Sequence, residues 1–274
     1  MWFYPKIWRT WVKEAVLMVN SLIHLSNLLF HTVRARLANE LRLYYLHFVW
    51  WFVEPLLDMG IYYVVFDVLL KQGTDNYIPF LLIGIVFWSW FNRSMQNSSL
   101  SILHAKELIA QIDIPKSFFP IAKVFQDVVK QSFVMTVLML FLLLYGLPVT
   151  WAWMALPILM AVQFILIIGM AILLAAVVPF FPDLKFIISA GLQLMFFASG
   201  IFFDIDRMEL PVHRTFVYLN PMAGLIRNYR TVLLHGLWPD WSYILATFLS
   251  VLILLIFSLF LIRRFDHIYP KIVI

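Results

Sequence analysis

The chain has 274 residues, of which 63% are hydrophobic and 13% are charged, and its formal net charge is +5. Soluble domains are about half apolar and a quarter charged, so this composition excludes a soluble enzyme and a disordered tail. The absence of cysteine excludes a disulfide scaffold, a thiolate nucleophile and a cysteine-based metal site. A mean hydropathy of +0.89 indicates a chain whose main solvent is lipid.

The N-terminal region predicts an amphipathic helix over residues 14–43. Polar residues recur at helical spacing on one face, opposite a face of leucines. The polar residues are Asn20, His24, Asn27 and His31. We expect this helix to lie in the membrane interface rather than to span the bilayer, and we expect no cleaved signal peptide. No carboxylate completes a metal-ligand set on this face, and Arg34 and Arg36 would contact either lipid head groups or a soluble partner.

Six stretches are long and apolar enough to cross a bilayer, which takes about 20 helical residues. They are residues 45–70, 77–91, 124–147, 151–180, 184–203 and 243–262. With these spans, 15 of the 20 Lys and Arg residues fall on the side that holds both termini. Basic residues concentrate in cytoplasmic loops. The sequence therefore predicts an all-α membrane protein with one transmembrane domain over residues 1–274, both termini in the cytoplasm, and no nucleic-acid partner.

The first span contains three acidic residues, Glu54, Asp58 and Asp67. A charge at mid-bilayer costs roughly 2.5–3.5 kcal/mol on insertion scales, so such residues are functional candidates. Glu54 and Asp58 are four residues apart and share a helix face. A buried ion pair with Arg or Lys of another helix, or a position facing a water-filled pore, is the favoured interpretation. A proton relay is the alternative, but spans two, four, five and six supply no acid to extend one.

The connection between spans two and three, residues 97–118, predicts a short cytoplasmic helix that Pro115 stops. The residues with helical spacing are Leu103, Glu107, Leu108 and Gln111. A helix of mixed polarity at this position suits docking of a soluble partner. A simple connector is the alternative, although it would leave several apolar side chains of the segment uncovered.

The connection between spans five and six, residues 204–241, predicts two short helices that meet at Asn220-Pro221. The second helix would end at Gly236. Each is too short and too charged to span, so a re-entrant pair on the external side fits best. Arg227 and Arg230 share a face and would either contact an anionic cargo or lie on a solvated surface.

Several catalytic patterns are absent from the sequence. There is no G-x-x-x-x-G-K-[ST] phosphate loop, no H-E-x-x-H and no G-x-S-x-G. We therefore expect no enzyme activity and no metal on this chain.

Short motifs in the same order along the chain resemble the type-2 family of ABC-exporter permeases. In the first two spans they are Glu54-Pro55-Leu56 and Ile83-Gly84-Ile85-Val86-Phe87-Trp88. The cytoplasmic connection contributes Glu107-Leu108-Ile109 and Pro115-Lys116. Phe181-Pro182-Asp183-Leu184 is similar to a Phe-Arg-Asp-Leu turn of the family, with Pro182 replacing the basic residue. The external segment contributes Asn220-Pro221-Met222-Ala223-Gly224-Leu225, Tyr229-Arg230 and Leu233. The combination is most similar to permeases that export O-antigen, capsule or teichoic-acid polysaccharides.

The resemblance implies a homodimer in the bacterial inner membrane that binds two separate ATPase subunits and moves a lipid-linked polysaccharide. ATP and Mg would be bound by the ATPase, and no cofactor by this chain. The segments that receive the ATPase stroke would include Arg34, Arg36, Leu103, Glu107, Leu108, Gln111 and Pro115. The exit gate would include Asn220, Pro221, Arg227 and Arg230.

Aromatic residues near span ends fit a path for sugars, because aromatic faces pack against the C–H faces of sugar rings. They are Phe87, Trp88, Trp90, Phe91, Phe196, Phe197, Phe202, Phe203 and Tyr218. The alternative for any one of them is an interfacial belt or ordinary core packing. Two other functions stay open: a drug or small-molecule exporter of the same superfamily, and an intramembrane enzyme on lipid-linked sugars that uses Glu54 and Asp58 as acid and base.

Overall fold

The computed structural model describes residues 26–40, 47–69, 71, 76–112, 114–207 and 220–273. The chain divides into two units, Met1–Tyr45 and Leu46–Ile274. The described part of the first unit is a single helix, α1, over residues 26–40. Arg34 is exposed on this helix and Arg36 is half-buried. The rest of the predicted interface helix, including Asn20 and His24, lies outside the described residues.

Helices are the regular elements among the described residues of the second unit, and turns connect them. Its helices are α2 (His47–Tyr63), α3 (Tyr77–Ser99), α4 (Lys106–Gln111), α5 (Phe118–Leu144), α6 (Leu156–Val177), α7 (Leu184–Phe197), α8 (Pro221–Leu233), α9 (Trp241–Arg264) and α10 (Tyr269–Val273). A π-helical segment, Val64–Leu69, continues α2. Short 3₁₀ segments cover Leu103–Ala105, Trp151–Ala155 and Ile205–Arg207.

Helix α3 lies at the centre of this unit and packs against α2, α5, α6, α7 and α8. Helices α6 and α9 form the most extensive pair, and Gly169 of α6 permits their close approach. A Cβ atom at Gly169 would lie 3.4 Å from the Leu255 backbone. We call the end of the bundle where α3 ends and α4 lies the α4 end, and the opposite end the α8 end.

Local sequence signals set several helix ends. Asn220 accepts a hydrogen bond from the Met222 N–H, and Pro221 supplies a fixed φ at the first position of α8. Asp240 caps α9 through the Tyr243 N–H. The chain turns beyond the end of α8 at Gly236, whose φ is +64° and whose Cβ would lie 2.7 Å from Thr150. A residue with a side chain would therefore strain this turn.

Four segments within the described ranges are long and apolar enough to cross a membrane. They are Tyr77–Ser99, Phe118–Leu144, Trp151–Val177 and Trp241–Arg264. Helix α7 is apolar but has only 14 residues. The described part of the chain is thus helical and has four helices that suit a multi-pass membrane protein.

Three of the predicted spans differ from the observed helices by six or more residues at one end. Helix α5 begins at Phe118, before residue 124. Helix α3 continues to Ser99, past residue 91, because Arg93 and Asn97 in its C-terminal part contact carboxylates of α2 and α5. Helix α7 ends at Phe197, before residue 203, and Gly200 then turns with a φ of +67°. The first helix of the predicted external pair falls within residues 208–219, which lie outside the described residues.

Candidate functional site

A groove of about 470 Å³ lies between α2, α3 and α7. Each helix contributes residues spaced three or four apart, so each presents one face to the groove. The lining residues change along its length. Charged and amide side chains lie towards the α4 end, and aromatic side chains lie towards the α8 end.

The polar half of the groove contains two carboxylates, one guanidinium and several amides. Helix α2 provides Glu54 and Asp58, and helix α3 provides Arg93. The amides are Asn92, Gln96, Asn97 and Gln193. Amides both donate and accept hydrogen bonds, and carboxylates accept them. This half can therefore bind a ligand that is rich in hydroxyl groups.

Arg93 and Asn97 of α3 contact carboxylates on two neighbouring helices. Arg93 Nη2 lies 3.8 Å from Glu54 Oε2 of α2. Asn97, one turn further along α3, donates from Nδ2 to both carboxylate oxygens of the buried Asp127 on α5, at 3.1 Å each. Glu54 thus pairs with a basic residue of another helix, as predicted, but the pair is not buried, because the Glu54 side chain is 54% exposed. Asp58 also lines the groove.

The aromatic half is built from rings of α2, α3 and α7. Trp88 lies 5.8 Å from Phe196, and Tyr62 lies 5.7 Å from the same ring, measured between centroids. Phe197 also lines the groove. Phe202, behind them, packs at 4.7 Å against Tyr62 and 4.7 Å against Phe66. Rings held in this way present fixed faces along the groove.

The other predicted aromatic residues have different surroundings. Phe87 is fully buried and stacks on Tyr229 of α8, with centroids 3.4 Å apart. Trp90 and Phe91 are buried within the bundle and do not line the groove. Phe203 is half-exposed at the α8 end, and Tyr218 lies outside the described residues.

Arg230 of α8 is buried and does not face solvent. Its guanidinium donates to the carbonyl oxygens of Phe80 (3.1 Å), Gly200 (2.6 Å) and Ile201 (2.9 Å). It also lies 3.4 Å from the centroid of the Phe80 ring. These contacts connect α8 to α3 and to the turn after α7. The structure therefore does not support contact of this side chain with an anionic cargo, because Arg230 is buried and three of its five N–H donors bind backbone carbonyl oxygens.

The remaining predicted gate residues lie nearby on α8. Arg227 donates from Nε to Asp206 Oδ2 at 2.7 Å, on a half-exposed surface. Asn220 donates to Ser199 Oγ at 2.7 Å while it caps the helix. Both contacts connect the first half of α8, which begins at Pro221, to the segment that follows α7. The structure therefore groups all four predicted residues at the α8 end.

Most of the predicted docking residues lie in α4 or in the segments just before and after it. Leu103 lies in the 3₁₀ turn, Glu107 and Gln111 are exposed, and Leu108 is 38% exposed. The helix ends at Gln111, because Ile112 is already extended, rather than at Pro115. Ile109 and Ile114 turn inward and are buried.

The C-terminal segment contacts the residues that follow α4. The Asp266 carboxylate accepts a hydrogen bond from the Lys116 N–H at 3.0 Å and pairs with Lys116 Nζ at 3.7 Å. Tyr269 is fully buried and donates to the Ala176 carbonyl at 3.0 Å. Burial and the Asp266 carboxylate raise the pKa of Tyr269, so its hydroxyl stays protonated. Lys116 was named in a sequence motif, but no role was predicted from the sequence for Asp266 or Tyr269.

Several groove residues were also missed from the sequence. Tyr62, Asn92, Gln96 and Gln193 carry no motif, and only their helical spacing relative to Glu54 and Trp88 points to a shared face. Within the described ranges, no group of three or more His, Asp or Glu residues lies close enough together to hold a metal ion.

Comparisons with known proteins agree on one family. The profile described as "ABC-2 type transporter" matches residues 28–234. A relative named O-antigen export system permease protein RfbA, from Klebsiella pneumoniae, is 28% identical over 227 residues, which cover 82% of this chain and 86% of the relative. A protein with the same name from Myxococcus xanthus is 26% identical over 230 residues, covering 84% and 88%. The expected resemblance is confirmed: the chain belongs to the ABC-2 type transporter family.

Proposed function

We propose that this chain is the membrane subunit of an ABC exporter that moves a lipid-linked cell-surface polysaccharide across the bacterial inner membrane. It works as a homodimer with two copies of a separate ATPase subunit, which binds ATP and Mg. The names of the relatives support the polysaccharide cargo. The chain itself has no enzymatic role in this scheme.

The proposed topology has six spans with both termini in the cytoplasm. The four long apolar helices supply four of them. Helix α2 with its π-helical continuation, His47–Leu69, is about 35 Å long at 1.5 Å per residue and supplies the first. Helix α7 and the turn after it supply the fifth. The α4 end is then cytoplasmic, because most Lys and Arg residues belong to that side.

The groove is the observation that carries the proposal. A polymer that slides needs many weak contacts rather than one tight site. The rings of Phe196 and Phe197, supported by the buried Trp88, can stack on successive sugar units, and the amides beside them can exchange hydrogen bonds with successive hydroxyl groups. A small apolar drug would leave the polar half of the groove without partners.

Coupling to the ATPase is proposed for the α4 end. Leu108 and Ile112 are 38% and 50% exposed next to Glu107 and Gln111, which gives a small surface with an apolar centre and polar edge. Leu103 and Pro115, before and after α4, belong to the proposed contact set, as do Arg34 and Arg36 of α1. At the other end, α8 with Asn220, Pro221, Arg227 and Arg230 forms the proposed exit gate.

The test is depletion of this chain in its native host, followed by complementation. Surface glycan and lipid-linked glycan inside the cell are both measured. Wild type should restore surface glycan, and Phe196→Ala or Phe197→Ala should lower surface glycan at least threefold while the internal pool rises. Trp151→Ala is the control, since Trp151 is 78% exposed and outside the groove.

The pattern of the two pools separates the alternatives. Unchanged glycan in both pools after depletion would reject polysaccharide export in favour of a small-molecule exporter. Loss in both pools would indicate a biosynthetic enzyme, for which Glu54 and Asp58 would be the first residues to test.

A further inference from the structure

More negative than positive side chains line the groove. Its lining residues include two carboxylates, Glu54 and Asp58, and one cation, Arg93. All three belong to the polar half, near the α4 end, where a cargo from that side would first enter. Each copy of the groove thus presents a formal charge of −1 to its contents.

The one cation that lines the groove is opposed by a carboxylate. Arg93 Nη2 lies 3.8 Å from Glu54 Oε2, whereas Arg93 Nη1 is buried with no hydrogen-bond partner among the described residues. The charge of Arg93 therefore offsets that of Glu54, and Asp58 is left as the uncompensated charge among these three residues.

Asp58 differs from Arg93 in its surroundings. It is half-buried, it faces the groove, and the described residues place no Lys or Arg in an ion pair with it. A carboxylate in this position accepts hydrogen bonds from sugar hydroxyls, and such charge-assisted bonds are strong. The same carboxylate repels any anion that passes it, and the repulsion is strong in a narrow site that excludes most water.

We propose that the groove selects glycans whose repeat units carry no phosphate or carboxylate group, and that Asp58, with Glu54, rejects polyanionic chains. This inference rests on the proposed export function and narrows its cargo. A polymer with one anion in each repeat meets the repulsion at every step of its passage. An uncharged polymer meets only hydroxyl, amide and aromatic contacts.

The experiment uses a host that lacks its own exporter and expresses this chain with its ATPase. Two glycans are assembled on the same lipid carrier, one of neutral hexoses and one with a phosphodiester in each repeat. We expect the neutral glycan to reach the surface at least tenfold faster. Asp58→Asn should lower this ratio at least threefold, and Asp183→Asn, which removes an exposed carboxylate outside the groove, should leave the ratio as it is.

A second pair of variants, which add a positive or a negative charge to the groove, keeps the test decisive if Asp58→Asn does not reach the membrane. Gln193 is exposed and lines the groove, so Gln193→Lys should lower the ratio and Gln193→Glu should raise it. Equal export of the two glycans by wild type, or a ratio that none of these variants changes, would overturn the inference while leaving polysaccharide export intact. Export of neither glycan would instead reject the proposed function and the inference with it.

Discussion

Gly84 and Arg230 show how closely α8 approaches α3. A Cβ atom at residue 84 would lie 2.6 Å from Arg230 Nη2 and 3.4 Å from Ile201. The guanidinium has little freedom to move, because three carbonyl oxygens hold it. Gly84→Ala should therefore destabilise the protein by about 1–3 kcal/mol, the usual cost of overpacking.

The matched control for this prediction is Gly60→Ala in α2. A Cβ atom there meets nothing within 4 Å, so the substitution should be neutral or slightly stabilising. The melting temperatures of both purified variants in detergent provide the measurement. Equal melting temperatures would contradict the tight contact between Arg230 and α3.

Asp240 provides a prediction about pH. Hydrogen bonds from the Ser242 hydroxyl and the Tyr243 N–H lower the pKa of the Asp240 carboxyl. A carboxyl with a lower pKa in the folded state stabilises the fold above its unfolded pKa of about 3.9, and this contribution is lost as the pH falls through the folded value.

The substitution Asp240→Ala should cost about 1 kcal/mol at pH 7, as for other helix caps. The difference in stability between wild type and variant should shrink as the pH falls below 4. Thermal unfolding of both proteins at pH 7 and pH 3 measures this difference. A difference that stays constant would mean that the cap does not depend on the charge.

The burial of Arg230 could not be predicted from the sequence. Its spacing from Arg227 correctly put both residues on one helix, but that spacing is the same for a solvated pair and for a buried one. Its three acceptors belong to residues 80, 200 and 201, which are distant in sequence. Only the tertiary packing of α3, α7 and α8 brings them together.

At the scale of elements, the C-terminal segment has a positioning role beside α4. Lys116, whose side chain is 4% exposed, pairs with Asp266, and Tyr269 packs at 5.7 Å against Phe180 and donates to α6. Helix α10 also contacts α4. We expect this segment to keep α4 in place when a partner pushes on it.

Asp266→Ala should lower glycan export several-fold and reduce stability by about 1–3 kcal/mol, because a largely buried Lys116 loses its carboxylate partner. His267→Ala, at an exposed neighbouring position, is the control. Export is measured together with the ATP hydrolysis of the assembled complex. Reduced export with retained hydrolysis would support positioning, whereas normal export by Asp266→Ala would contradict it.

The long helices were predictable because lipid exposure requires a continuous apolar stretch, and this is a local property of the sequence. The C-terminal half of α3 was not predictable in this way, because Asn92, Arg93 and Asn97 end the apolar stretch without ending the helix. The partners of Arg93 and Asn97 come from α2 and α5, and Asn92 accepts a hydrogen bond from Gln96 of the same helix. The contact between Lys116 and Asp266 spans 150 residues and leaves no local pattern.

At the scale of the whole molecule, the groove and the opposite face of α7 should differ in their access to water. Gln193 lines the groove, whereas the adjacent Leu194 is 73% exposed and does not. The chain has no cysteine, so single cysteines can be labelled without background. Gln193→Cys should react with a membrane-impermeant maleimide added to open membrane fragments, and Leu194→Cys should react at least tenfold more slowly.

The contrast follows because a thiol in lipid or against a second copy of the chain stays protonated and shielded from the reagent. Labelling of the wild-type chain, which should give no signal, is the control. Fast reaction at both positions would mean that this face of α7 is open to water, and the proposed arrangement in the membrane would then be wrong.

The central position of α3 has a mechanical consequence. This 23-residue helix is about 35 Å long. Near one terminus Asn97 fixes it to α5, and near the other the Phe80 carbonyl and ring hold α8 through Arg230. A continuous α-helix is stiff along its axis, so a force applied at Ser99 displaces Phe80 by nearly the same distance and without an intermediate hinge. In the proposed exporter, one rigid rod would therefore let a stroke delivered on one side of the membrane move the opening on the other.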